Sequence, residues 1–69
     1  MGVVKVIELV GSSPKGWEEA AQNAVNEAAK TVRNIKGFRL LRCSAKMENN
    51  RIVEYCSRIK VAFVVDRET

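Results

Sequence analysis

Hydrophobic and polar residues are arranged differently in successive parts of the chain, and each arrangement predicts one element. Val3 to Val10 is rich in Val, Ile and Leu, which is typical of a β-strand, and Gly11-Ser12-Ser13-Pro14 then predicts a loop. Phe38 to Met47 predicts a second strand, and Arg51 to Val65 predicts a third, longer one. Between these two strands, Glu48-Asn49-Asn50 predicts a hairpin turn because asparagine tolerates a positive φ.

A helix is predicted between the first and second strands. Gly16 is a tolerated N-cap, and the acidic residues Glu18 and Glu19 suit the positive end of a helix dipole. We expect Gly37 to end the helix. An apolar stripe with a 3.6-residue period comprises Trp17, Ala20, Ala21, Ala24, Val25, Ala28, Ala29, Val32 and Ile35. Its alanines make the stripe thin, so another element can approach closely, and Trp17 is expected to pack the helix end against the sheet.

The direction of the elements predicts the topology. Strand one runs up, the helix down, strand two up and strand three down, so placing strand three between the others makes every strand pair antiparallel. The predicted fold is therefore a single α+β domain over residues 1–69, with β-α-β-β order. Its three-stranded antiparallel sheet, in the order 1-3-2, is expected to wrap around one amphipathic helix.

Alternation along the strands divides their residues between two faces of the sheet. Towards the helix we expect Ile7, Leu9, Phe38, Leu40, Val53, Tyr55, Ile59, Val61, Phe63 and Val65. On the other face we expect Val4, Val6, Val10, Gly37, Arg39, Leu41, Cys43, Ala45, Met47, Glu54, Cys56, Arg58 and Lys60. One helix covers only one face, so the second would be an exposed apolar patch. A patch of that kind predicts an oligomer.

Composition narrows the class of protein. The chain has 69 residues, of which 46% are hydrophobic and 29% charged, and this excludes a disordered chain. No apolar run approaches the roughly 18 residues of a membrane span, and no secretory signal is visible, so we predict a cytoplasmic protein without a membrane partner. Histidine is absent, and the chain has no nucleophile–base pair, phosphate loop or dinucleotide fingerprint, so no enzymatic activity is predicted.

The cysteines and the charge distribution say less about the function of the protein. We expect Cys43 and Cys56 to lie on adjacent strands as two reduced and inert thiols, on the same face if the hairpin register allows it. The formal net charge is +4, but the basic residues are interspersed with acids and aromatic residues are few. Specific nucleic-acid binding is therefore not predicted. The carboxylates are scattered, which leaves open a cation site shared between subunits.

Several stretches of the chain resemble the dodecin family. They are Lys5-Val6-Ile7-Glu8-Leu9-Val10-Gly11-Ser12-Ser13-Pro14, Trp17-Glu18-Glu19-Ala20, Asn23-Ala24-Val25, Thr31-Val32-Arg33-Asn34-Ile35 and Ile59-Lys60-Val61-Ala62-Phe63. The resemblance covers about residues 3 to 65. It implies a β-α-β-β chain that assembles into a hollow sphere of twelve subunits, and a function in binding and buffering flavins, as stacked pairs between subunits, without catalysis.

The chain departs from the pattern that this resemblance implies at two positions. The family has a tryptophan that stacks on the flavin ring, where this chain has Gly37, and a glutamine that bonds its polar edge, where this chain has Cys56. Loss of one aromatic stacking contact predicts a flavin affinity lower by about one to two powers of ten. Arg39, Arg58 and Lys60 are expected on the same face and are candidate contacts for an anionic ligand.

The resemblance and the residues together predict a homododecameric shell that stores a small cofactor, riboflavin or FMN. Two alternatives stay open. One is a structural shell that has lost ligand binding, and the other is a shell whose site holds a different anionic ligand, or a cation such as calcium.

Overall fold

The computed structural model describes residues 2–66, which form three strands and one helix. The elements are β1 (Gly2–Ser13), α1 (Trp17–Ala29), β2 (Ile35–Glu48) and β3 (Arg51–Asp66). Strand β3 pairs antiparallel with both β1 and β2, so the sheet order is β1-β3-β2. This confirms the predicted β-α-β-β topology and strand order.

The helix is shorter than the apolar periodicity predicts. It ends at Ala29 and not before Gly37, and five residues then connect it to β2. Within this connection Asn34 has a φ of 63°, and its carbonyl accepts a hydrogen bond of 3.2 Å from the N–H of Val64. Ile35 therefore packs against the core as the first residue of a strand. The prediction of a helix up to Gly37 is wrong because correct spacing of an apolar residue does not distinguish a helix from a following strand.

The strands extend beyond their predicted bounds. Strand β1 continues through Gly11, Ser12 and Ser13, so the loop predicted there is wrong for these three residues. They pair with β3, which is long enough to accommodate the extension. The hairpin prediction is confirmed, since Asn49 and Asn50 have φ values of 51° and 64° between β2 and β3.

The core lies between α1 and the two strands β1 and β3. Its centre contains Ala21, Ala24, Ile59 and Val61, all buried. The helix approaches β1 most closely at Gly11, where an added Cβ would overlap the Ala20 carbonyl and lie 2.9 Å from the Ala24 Cβ. The thin alanine stripe and this glycine therefore fit each other, as the predicted close approach requires. Partly buried side chains complete the core: Ile7, Leu9, Val25 and Ile35.

The helix covers only part of the sheet. A helix of 13 residues is about 20 Å long, whereas the chain extends over 57 Å in its longest dimension. Large apolar side chains remain exposed on both faces of the sheet: Val3, Val4, Val6, Val10, Phe38, Leu40, Leu41, Met47, Ile52 and Val53. The expected exposed apolar surface is therefore present, and it is more extensive than one face.

Candidate functional site

The sheet face turned away from α1 carries the polar half of β3. Ser57, Ile59 and Val61 are fully buried under the helix, so the alternate residues of β3 project from the opposite surface. We call this surface the outer face. On β3 it comprises Glu54, Cys56, Arg58, Lys60, Ala62 and Val64. Cys56, Arg58 and Lys60 thus lie on the face where the sequence predicts them.

Strand β2 contains a bulge that changes which of its residues reach the outer face. Leu40 pairs with Ile59 and Arg42 pairs with Arg58, which leaves Leu41 as an extra residue. One extra residue inverts the side from which every later side chain projects. Arg42 consequently joins the outer face. Two consecutive leucines interrupt the alternation of this strand, and they are the sequence signal that could have revealed the bulge.

The bulge also corrects the placement of the two cysteines. Cys43 pairs with Ser57 and Ala45 pairs with Tyr55, so both lie on the helix side and not on the outer face. Cys56 lies on the outer face, and the prediction of a shared face for the two thiols is wrong. The physical reason is the inverted alternation after the extra residue. Both cysteines are free; Cys43 is exposed and Cys56 is half-buried.

Cross-strand pairing arranges the outer face in rows of three residues, one from each of β1, β3 and β2. Paired side chains lie about 5 Å apart, and successive rows lie about 7 Å apart along the strands. The rows, in order, are Val6–Ala62–Gly37, Glu8–Lys60–Arg39, Val10–Arg58–Arg42 and Ser12–Cys56–Ser44. The structure thus brings the predicted residues Arg39, Arg58 and Lys60 together. It adds Arg42, which is not among the residues predicted for this face.

An open depression of about 420 Å³ surrounds Gly37 on this face. A Cβ added at Gly37 would have no atom within 4 Å, so a larger side chain has room there. The walls combine apolar surface with three cationic side chains, and the lining residues are Val6, Lys36, Gly37, Phe38, Arg39, Lys60 and Ala62. A flat ring could therefore lie on the apolar floor, with its polar edge or an anionic substituent near the cations.

Cys56 does not belong to this depression. Gly37 pairs with Ala62, which is six residues from Cys56 along β3 and hence about 20 Å away. The Cys56 thiol is half-buried and lies 4.0 Å from a carboxylate oxygen of Glu54, which forms an ion pair of 3.4 Å with Lys46. Within one chain Gly37 and Cys56, the two positions at which the family resemblance implies contacts to a flavin, are separated. They can line one pocket only if a second chain contributes.

Trp17 has the packing role that the sequence predicts. Its ring contacts Tyr55 edge-on at a centroid distance of 4.7 Å, and its indole N–H donates to the Ser44 carbonyl at 2.9 Å. The Ser57 hydroxyl donates to the Trp17 carbonyl at 2.8 Å. These contacts tie the first turn of α1 to both β2 and β3, and so they set the position of the helix over the sheet.

A second depression of about 420 Å³ lies on the helix side, where α1 passes beside β2. Phe38 and Leu40 form its strand wall and are each about half exposed, and Trp17 is 41% exposed at its end. The helix residues Glu18, Ala21 and Gln22 complete the lining. This groove is apolar and open, and the only sequence signal of it is the expected orientation of Phe38 and Leu40 towards the helix.

Two negative findings concern the part of the chain that the structure describes. No three His, Cys, Asp or Glu side chains within residues 2–66 are grouped so that they could hold a metal ion. In the same range, no helix combines the length and the apolar character that crossing a bilayer requires.

Comparison with known proteins agrees with this architecture. The dodecin family model matches residues 3–66. The chain belongs to the dodecin family. It is 33% identical to a calcium dodecin of Mycobacterium tuberculosis over 63 aligned residues. The alignment covers 91% of this chain and 89% of that protein. The chain is 34% identical over 61 residues to the dodecin of Thermus thermophilus, which covers 88% of each chain.

Solved dodecin structures superpose on nearly the whole chain. A crystal structure of a Thermus thermophilus dodecin variant has a TM-score of 0.91 at 31% identity and covers 99% of this chain and 100% of that one. The structure of the Mycobacterium tuberculosis calcium dodecin, described as having a novel calcium-binding site, has a TM-score of 0.81 at 30% identity, over 97% of this chain and 96% of that one. The fold is therefore that of dodecins, in agreement with the predicted architecture.

Proposed function

We propose that the chain forms a homododecameric shell, without enzymatic activity, that binds and buffers a flavin between its subunits. Membership of the dodecin family supports the assembly and the class of ligand. The observation in the structure that carries the proposal is the incomplete site. The depression at Gly37 is open, and Cys56 lies about 20 Å away along β3, so one chain supplies separated parts of a pocket.

The exposed apolar surface supports self-association. Phe38 and Leu40 are 51% and 49% exposed in the single chain, and Val4, Val6 and Val10 are at least half exposed on the outer face. Apolar patches of this extent on a small protein mark interaction surfaces. A chain of 69 residues also has little core, and oligomerisation is one of the usual ways to stabilise so small a domain.

The flavin site proposed here combines Gly37, Arg39 and Lys60 of one chain with Cys56 and Arg58 of a second. The ring lies on the apolar floor of the depression, and the cations face its polar edge. A glycine provides no stacking surface, and a thiol replaces the hydrogen bonds of an amide poorly. The affinity for riboflavin and FMN is therefore expected to be one to two powers of ten lower than with a stacking tryptophan.

The competing candidate is a shell whose site holds a cation, which the calcium dodecin among the relatives favours. Within residues 2–66 no three His, Cys, Asp or Glu side chains are grouped so that they could hold a metal ion. The calcium site of this second candidate is therefore one shared between chains. Thermal unfolding with and without calcium separates the two candidates, because a ligand that binds the folded state raises the melting temperature.

The first experiment measures mass and flavin binding on the same sample. Light scattering is expected to give twelve chains of 7.7 kDa, about 92 kDa. Titration of riboflavin and FMN into the ligand-stripped assembly is expected to quench flavin fluorescence. A stable monomer at micromolar concentration would contradict the proposed dodecamer. Absence of quenching at millimolar protein concentration would contradict flavin binding.

Restoring the two family residues tests the position of the site. Gly37→Trp combined with Cys56→Gln is expected to raise flavin affinity at least tenfold, because the Cβ of residue 37 meets open space. The matched control is Gly37→Trp combined with Cys43→Gln, which changes the cysteine on the opposite face. Equal gains from both double variants would show that residue 56 does not contact the flavin.

A further inference from the structure

Two pairs of cations face each other directly across β2 and β3 on the outer face. Arg39 pairs with Lys60, and Arg42 pairs with Arg58 in the next row. All four residues are exposed in the single chain. Like charges directly opposite each other in an antiparallel pair destabilise the sheet. Two such pairs in adjacent rows therefore destabilise the sheet locally by electrostatic repulsion, and a bound anion would relieve that repulsion.

Neighbouring acidic groups do not neutralise these cations. The ion pairs among residues 2–66 are Lys30–Glu27 and Lys46–Glu54, so none of the four cations has a carboxylate at salt-bridge distance in that range. Glu8 lies opposite Lys60 on β1 and is the one acidic residue in the two rows. The row of Arg42 and Arg58 has Val10 as its third member, so its two guanidinium groups have no acid beside them.

The residues around the two rows suit a phosphate group. The next row along the sheet consists of Ser12, Cys56 and Ser44, and its two hydroxyl groups are hydrogen-bond donors about 7 Å from the arginine row. On the other side the rows meet the depression at Gly37, whose walls combine apolar surface with cationic side chains. Guanidinium groups bind phosphate oxygens in a bidentate manner, and two of them facing one another present four or more N–H donors to the same anion.

We propose that Arg39, Lys60, Arg42 and Arg58 form a binding site for two linked phosphate groups on the outer face, centred on the Arg42–Arg58 pair. The phosphates can be those of a free diphosphate or those of a nucleoside diphosphate whose ring lies in the Gly37 depression. The site is formed by cross-strand pairs of one chain. It shares Arg39, Lys60 and Arg58 with the flavin site proposed above, whereas Arg42 belongs to it alone. Pyrophosphate binding and flavin quenching are measured separately, so failure of one proposal is distinguishable from failure of the other.

The test uses the purified, ligand-free full-length assembly and inorganic pyrophosphate as the probe, in buffer that contains EDTA. Calorimetric titration is expected to show pyrophosphate binding to the unmodified protein. Arg42→Gln is expected to weaken that binding at least tenfold, since one charge-assisted hydrogen-bonding group is lost. Arg33→Gln is the matched control, because it removes the same charge from the exposed connection between α1 and β2 and is expected to change affinity less than twofold.

Melting temperature in low salt separates a binding role from a structural one. Without ligand, Arg42→Gln is expected to raise the melting temperature, because it relieves repulsion with Arg58. Pyrophosphate is expected to raise the melting temperature of the unmodified protein and not that of the Arg42→Gln, Arg58→Gln double variant. A lower melting temperature for ligand-free Arg42→Gln, or equal pyrophosphate effects in both proteins, would overturn the proposal.

Adenosine and ADP distinguish the two sources of the phosphates. Tighter binding of ADP than of pyrophosphate, with no binding of adenosine, would assign the site to a nucleoside diphosphate. Equal binding of ADP and pyrophosphate would assign it to the phosphates alone. Absence of pyrophosphate binding at millimolar concentration, equal loss with Arg33→Gln, or tight binding of a long oligonucleotide only, would each contradict the proposed site.

Discussion

Two pairs of neighbouring residues on the same side of the sheet differ in how much of their side chains is exposed. Ile59 and Val61 of β3 are fully buried, whereas their cross-strand partners Leu40 and Phe38 of β2 are 49% and 51% exposed. The four side chains are similar in size and apolar character, and they occupy adjacent rows. The difference arises because α1 packs on β1 and β3 and only touches β2 at its edge.

This contrast shows that the chain folds with one strand uncovered. The part of the sheet under the helix is a well-packed core. Helix and strand pack closely at Gly11, and no buried polar side chain among residues 2–66 lacks a hydrogen bond. The β2 part presents apolar side chains in the same register that the helix covers only in part. A second copy of the chain would bury them, which is the physical basis of the assembly proposed above.

The largest expected effect comes from placing a charge on the uncovered strand. Leu40→Glu is expected to dissociate the assembly into much smaller species, because a buried carboxylate without a partner costs several kcal/mol at every copy of the contact. Light scattering measures the mass, and Asn26→Glu on the exposed surface of α1 is the control that should keep it. An intact particle with Leu40→Glu would mean that another surface forms the contacts between subunits.

Truncation of the paired residues should separate folding from assembly. Ile59→Ala is expected to lower the free energy of unfolding by about 2–5 kcal/mol at any protein concentration, since Ile59 is fully buried within one chain. Leu40→Ala should instead give a loss that depends on protein concentration, because assembly contributes to its burial. Urea unfolding at two protein concentrations a hundredfold apart tests both expectations. The same concentration dependence for the two variants would remove the contrast between β3 and β2.

A smaller effect is expected from adding one methyl group at two glycines. Gly11→Ala should lower the free energy of unfolding by about 1–3 kcal/mol, because its Cβ would overlap the backbone and side chains of α1. Gly37→Ala places its Cβ in open space and should change stability by less than about 0.5 kcal/mol. Denaturant titration of the two variants is the measurement, and equal losses would contradict the close approach of helix and strand at Gly11.

The accuracy of the sequence-based predictions followed the strength of the local signals. Strand order and topology were predicted correctly because the direction of four clear elements admits few arrangements. The Asn49-Asn50 turn was predicted because it depends on a preference of the residues themselves. The end of the helix was missed, since Ile35 has helical spacing but reaches the core from β2.

The candidate site was predicted only in part. Arg39, Arg58 and Lys60 were placed on the correct face by simple alternation along β2 and β3. Arg42 was left out of this face and Cys43 was wrongly placed on it, because the extra residue Leu41 inverts the alternation of β2. A bulge depends on how two strands fit against each other, so a pattern read along one strand does not locate it.

The sequence by itself determined the elements, their order and the faces of unbroken strands, because these depend on periodicity and on the preferences of single residues. The tertiary structure decided where α1 stops, which strand it leaves uncovered, and that Arg42 and Arg58 face each other. Those features depend on the relative length of helix and sheet and on the register between strands. Both are properties of pairs of elements, so neither can be predicted from any one segment of the chain alone.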